Sequence, residues 1–160
     1  MSQTGAPETV TAKRRIWPIT ATLVVFALLL FLYQGFVAAI TTAPFFGDIP
    51  SRDQDIEAGM ACVTTLPVFA AMIWCGWQRG SRRGLWLIGG LAAVMAFAAL
   101  SPLGTTGDSG DPHPGRAPGL ADLFGGSAPL NWVAFVVFAG LSLATYLQRR
   151  ARHAETGSAA

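Results

Sequence analysis

The residues with the clearest spacing for metal chemistry are Asp108, Asp111 and His113. Two carboxylates and an imidazole this close together are ligand types that zinc and similar ions accept. A structural zinc site requires four ligands, however, and these three flank prolines in a segment rich in glycine. We therefore interpret the segment as a solvated acidic loop and expect no metal and no other cofactor in this protein.

Sulfur-containing residues form a second candidate site. Met60 and Cys62 offer two soft ligands of the kind that copper(I) prefers, but methionine and cysteine in an apolar helix usually serve packing. The other cysteine, Cys75, lies thirteen residues further on. On a helix that separation is about 20 Å, too far for a disulfide. We expect no disulfide between them within one chain.

Uncharged polar residues inside apolar stretches form the third group: Gln34, Thr64, Thr65 and the helix-distorting Pro67. They could line a polar path through several copies of the chain. Alternatively, they could form hydrogen bonds between neighbouring helices, which is the commoner use of a buried amide in lipid.

Small residues recur at helical spacing in two of the apolar stretches. One set is Gly89, Ala92, Ala93 and Ala96, and the other is Gly140 and Ala144. Small side chains allow transmembrane helices to approach closely, so we predict that both sets are helix-packing faces. We favour packing within one chain and keep packing between chains as the alternative.

The apolar stretches define the elements that must position these residues. The chain is 52% apolar and only 12% charged, and its mean hydropathy is +0.45. Four stretches contain no Asp, Glu, Lys, Arg or His and are long enough to cross a bilayer. We predict an all-α, four-helix transmembrane bundle over 16–148, with helices at 17–40, 59–77, 85–103 and 129–148. Loops at 41–58 and 104–128, a disordered tail at 1–15 and a tail at 149–160 complete it.

The distribution of charge predicts the orientation of this bundle. The two tails and the 78–84 turn carry a net charge of +7, from nine basic and two acidic residues, whereas the two loops carry −5. By the positive-inside rule, both termini face the cytoplasm. The alternative is that the first apolar stretch is a signal peptide cleaved after Ala39. Ten arginines against one lysine are typical of a GC-rich bacterial genome, so we expect a multi-pass protein of a bacterial inner membrane.

The same pattern excludes several functions. A haem in the membrane needs an axial ligand such as histidine, and proton relays need ionisable groups such as carboxylates at membrane depth. The predicted spans contain no Asp, Glu, Lys, Arg or His. There is no nucleotide-binding or hydrolase motif and no case for nucleic-acid binding. We expect a non-catalytic accessory or scaffold subunit that packs against a membrane partner. The alternative is a channel or transporter for a neutral or apolar solute, formed by a homo-oligomer.

Overall fold

The computed structural model describes residues 8–42, 52–79, 82–104 and 119–157, and these residues are almost entirely helical. The four helices are α1 (Glu8–Thr42), α2 (Arg52–Arg79), α3 (Arg82–Gly104) and α4 (Ala128–Gly157), and a short 3-10 turn covers Leu120–Leu123. The predicted all-α class is therefore confirmed. Three helices, α1, α2 and α4, are long and apolar enough to cross a membrane, whereas α3 has the shorter apolar stretch Gly84–Leu100.

Each helix is longer than the apolar stretch that predicted it. The 1–15 segment, expected to be a disordered tail, is helical from Glu8 onward, and the predicted 41–58 loop is helical from Arg52. Hydropathy marks only the apolar part of a helix, and residues such as lysine and arginine continue it readily in polar surroundings. Asp53 and Asp55 lie in the first turn of α2, where negative charge stabilises the helix dipole.

The centre of the bundle is α2, which packs against all three other helices and the 3-10 turn. Of the residues in its apolar window, 61% are buried, compared with 22% for α1 and 17% for α4. Its side chains Val68, Phe69 and Met72 are completely buried. They contact a core completed by residues of α1 and α3, which are Leu23, Ala27, Leu30, Ile88, Met95 and Ala99. Most of α4 therefore lies outside this core.

Neighbouring helices along the chain run in opposite directions. In the first half of α1, Thr20 lies against Gly84 at the start of α3. At the same end of the bundle, Arg79 of α2 donates a hydrogen bond to Thr145 of α4. At the opposite end, the last third of α1 meets the first turn of α4. The start of α1 and the end of α4 are therefore at one end of the bundle.

The contact between α1 and α3 depends on the absence of a side chain at Gly84. A Cβ atom built there would lie 2.3 Å from Cγ2 of Thr20. Threonine is branched at Cβ and has few alternative rotamers, so its methyl group cannot easily move aside. The small residue at this position thus sets how closely α3 approaches α1.

Candidate functional site

Four uncharged polar side chains from three parts of the chain meet at one end of the bundle. Gln34 comes from α1, Thr64 from α2, Asn131 from the first turn of α4, and Ser127 from the residue just before α4. We call these four residues the amide cluster. Gln34 and Asn131 are fully buried, with 0% of their surface exposed, and Thr64 is 1% exposed. The cluster therefore lies inside the bundle.

Hydrogen bonds within the amide cluster join α1, α2 and α4. The Asn131 Nδ2 group donates to the Thr64 hydroxyl at 2.8 Å, and it also lies 3.4 Å from Gln34 Oε1 and 3.5 Å from the Ala61 carbonyl oxygen. The Ser127 hydroxyl donates to the same Gln34 oxygen at 3.2 Å. Such bonds hold transmembrane helices together, because an unpaired amide in lipid is costly.

Two atoms of the amide cluster have no hydrogen-bond partner among the described residues. They are Gln34 Nε2, which is a donor, and Asn131 Oδ1, which is an acceptor. Both atoms are shielded from the surface. Buried polar atoms are nearly always paired, so this orphaned donor and acceptor distinguish the cluster from ordinary helix packing.

The structure brings together part of the predicted polar path. Gln34 and Thr64 meet in the amide cluster, whereas the buried Thr65 donates its hydroxyl to the Cys62 carbonyl of its own helix at 2.6 Å. Thr64 donates in the same way to the Ala61 carbonyl. Helix α2 continues without a break through Pro67. These contacts are hydrogen bonds within α2 and between helices. Passage of a solute along these residues stays a hypothesis.

Sequence reasoning missed Asn131 and Ser127. Asn131 lies at the beginning of an apolar stretch, where polar residues are ordinary because the helix end is close to water. The sequence did contain one indication, because asparagine, like glutamine, has a side-chain amide, and burying an amide without a hydrogen-bond partner costs free energy. Two such amides at the same predicted depth, one late in the first stretch and one early in the fourth, could have suggested a pair.

A tight turn positions the start of α4 beside the amide cluster. Gly126 has φ of +54°, a left-handed conformation that favours glycine. The Glu57 carboxylate of α2 lies close to it, since a Cβ atom on Gly126 would be 2.9 Å from Glu57 Oε1. A negative charge next to the first turn of a helix is favourable. The turn and the charge together fix where Ser127 and Asn131 enter the bundle.

The other end of the bundle carries a basic group that also joins α2 to α4. Arg79 donates to the Thr145 hydroxyl, and Arg149 donates to the Gln78 backbone carbonyl. With the Gln78 amide oriented to suit its neighbours, it donates to the Ser142 carbonyl at 3.2 Å and accepts from the Trp74 indole at 2.9 Å. The α2–α4 interface is thus polar at both ends.

The predicted helix-packing residues lie mainly away from the core. Ala144 and Ala93 are exposed, Gly89, Ala92 and Ala96 are half-buried, and Ala92 packs at the edge of the core. A Cβ atom built on Gly140 or Gly89 would meet no heavy atom of another described residue within 4 Å. Close packing of another helix of this chain on Gly140 is therefore not seen among the described residues, and packing between chains stays a prediction.

The predicted metal ligands Asp108, Asp111 and His113 lie outside the described residues. Within the described ranges, no group of three or more His, Cys, Asp or Glu side chains could hold a metal ion. Cys62 and Cys75 are both buried and unpaired, which confirms the prediction that they do not form a disulfide.

Comparison of the chain with protein-family models, with curated proteins and with solved structures gave no match.

Proposed function

We propose that this chain is a four-span integral membrane protein that acts as a non-catalytic accessory or scaffold subunit and packs against a different membrane protein through α4. The observation that carries this proposal is the exposed face of α4. Gly140 and Ala144 are surrounded there by exposed apolar side chains, which are Val133, Val136, Val137, Leu143 and Leu147.

The exposed face of α4 is opposite to its polar face. Asn131 and Gly140 are nine residues apart, which corresponds to 2.5 turns and places them about 180° apart on the helix. One side of α4 is thus fixed to α2 by polar contacts at both ends, while the other presents a shallow surface of small and branched residues. Helices that associate within a bilayer use this type of surface, since a small residue lets a partner backbone approach.

The proposed orientation has both termini in the cytoplasm. The end formed by the termini carries several arginines, among them Arg79, Arg82, Arg149 and Arg150. The opposite end carries one described arginine, Arg52, and the acidic residues Asp53, Asp55, Glu57 and Asp122. This separation agrees with the positive-inside rule. The stretch Gly84–Leu100 is at the short end of the length range for spanning helices. Whether α3 crosses the membrane therefore decides the number of spans and the side on which the C-terminus lies.

Native mass spectrometry of the protein, extracted gently from its own membranes, tests the proposal. A complex of fixed stoichiometry with one different membrane protein is the expected result. A homo-oligomer, or a monomer alone, would contradict it.

A homo-oligomeric channel or transporter for a neutral solute is the second candidate, and the orphaned polar atoms of Gln34 and Asn131 favour it. It requires that solute flux into proteoliposomes be lost in the Gln34→Leu variant while the oligomer remains folded. Flux equal to that of the unchanged chain would exclude it.

A further inference from the structure

Turning either amide group of the cluster around alone would bring like atoms together. If Asn131 were reversed, its oxygen would face the Ala61 carbonyl oxygen, which is also an acceptor. If Gln34 alone were reversed, its nitrogen would face Asn131 Nδ2, which is also a donor. If both were reversed, the two free positions would carry the Gln34 oxygen and the Asn131 nitrogen, which are again one acceptor and one donor. In either arrangement, the two free positions call for a partner that both donates and accepts a hydrogen bond.

The missing partner must come from inside the bundle. Gln34 and Asn131 have no exposed surface, so neither a helix of another protein nor a lipid headgroup can reach their free amide atoms without opening the interface. The occupant must also be small and must both accept and donate a hydrogen bond, since one free atom is a donor and the other an acceptor. Water has these properties.

We propose that the amide cluster encloses one ordered water molecule, which accepts a hydrogen bond from Gln34 Nε2 and donates one to Asn131 Oδ1. The two amide groups already meet through Gln34 Oε1 and Asn131 Nδ2. Each free atom shares its amide carbon with an atom of that contact, and both free atoms are shielded from the surface. The water completes the hydrogen bonding between α1 and α4, whose direct contact also includes the Phe26 and Phe138 rings with centroids 5.0 Å apart.

Nuclear magnetic resonance of the full-length chain, labelled with ¹⁵N in detergent micelles, tests this site. The expected result is a cross-peak between the Gln34 side-chain amide protons and water. In a rotating-frame Overhauser experiment, this cross-peak should have the opposite sign to the diagonal peaks, as a through-space contact requires. The exposed Gln148 side-chain amide is the internal control, because its cross-peak with water reflects exchange with bulk solvent.

Variants of the amide cluster distinguish a cross-peak from bound water from one that arises by proton exchange through the cluster's hydroxyl groups. The cross-peak should persist in Ser127→Ala and in Thr64→Val, which remove the two hydroxyls of the cluster, and should be lost in Asn131→Leu, which removes the acceptor. Its absence from the unchanged chain, its loss in a hydroxyl variant that still folds, or its persistence in Asn131→Leu would overturn the proposal.

A structure at a resolution that shows waters gives a second measurement that needs no variant. We expect one oxygen within hydrogen-bond distance, about 2.7–3.2 Å, of both Gln34 Nε2 and Asn131 Oδ1. A direct bond between these two atoms, or an empty space beside them, would overturn the proposal.

Discussion

Asn131, in the first turn of α4, donates a hydrogen bond of 2.8 Å to the hydroxyl of Thr64 in α2, and both side chains are buried. The residues are 67 positions apart in the chain. Of the three helices long enough to cross a membrane, this contact joins the least buried, α4, to the most buried, α2, at the end opposite the arginine contacts.

We expect this hydrogen bond to couple α2 and α4 measurably. A double-mutant cycle with Thr64→Val and Asn131→Val should give a coupling free energy of about 0.6–1.7 kcal/mol, the range for hydrogen bonds between transmembrane helices. Unfolding in mixed micelles with increasing denaturing detergent provides the measurement. Thr22→Val is the matched control, because the exposed Thr22 hydroxyl donates to Pro18 within α1. A cycle that couples Asn131 to Thr22 as strongly as to Thr64 would refute the assignment.

The close approach of α3 to α1 predicts different effects on stability for two glycines of α3. Gly84→Ala should lower the free energy of unfolding by about 1–3 kcal/mol, because the new methyl group overlaps Thr20. Gly90 is exposed and has nothing within 4 Å, so Gly90→Ala should be neutral or raise stability by up to about 1 kcal/mol through helix propensity. Thermal unfolding of both variants in one detergent checks this, and equal effects would contradict it.

The turn before α4 should depend on glycine at only one of two adjacent positions. Gly126→Ala should cost about 1 kcal/mol or more, because alanine resists the positive φ at this site. Gly125→Ala should be nearly neutral, since its Cβ atom would meet only ordinary contact at 3.7 Å. The thermal unfolding midpoints of the two variants are the observable. A larger loss for Gly125→Ala would disagree with this geometry.

The exposed face of α4 predicts a variant that changes assembly without changing folding. Gly140→Leu should not lower the free energy of unfolding of the isolated chain, because Gly140 is exposed and leucine favours a helix more than glycine does. It should reduce recovery of the partner complex by native mass spectrometry at least several-fold. Gly90→Leu on α3 is the matched control and should leave the complex intact. Full recovery with Gly140→Leu would exclude this face as the contact.

The charge separation predicts where reporters fused to the chain will be active. A green fluorescent protein at the C-terminus should fluoresce, and alkaline phosphatase there should be inactive, because the positive-inside rule places this end in the cytoplasm. A reporter inserted between residues 105 and 118 should show the opposite result. An external C-terminus would mean that α3 does not span or that α1 is removed. An intact mass of 16.8 kDa distinguishes these cases, since cleavage after Ala39 would lower it.

The amino-acid sequence by itself determined the helical class, the apolar core of each helix and the separation of charge. These properties follow from local composition, because about 20 apolar residues without charge favour a helix in lipid wherever they occur. The unpaired state of Cys62 and Cys75 also followed from spacing alone. The helix ends were not predictable to the same degree, since α1 and α2 continue into polar residues beyond their apolar parts.

Only the tertiary structure decided which polar residues meet. Gln34 and Thr64 are visible in the sequence as polar residues in apolar stretches, but their shared partner Asn131 depends on how α1, α2 and α4 are arranged around one another. The same arrangement makes α2 the central helix and leaves Gly140 exposed, although all the helices are apolar. Hydropathy identifies which residues avoid water, but it does not distinguish a side chain that faces lipid from one that faces another helix, because both surroundings are apolar.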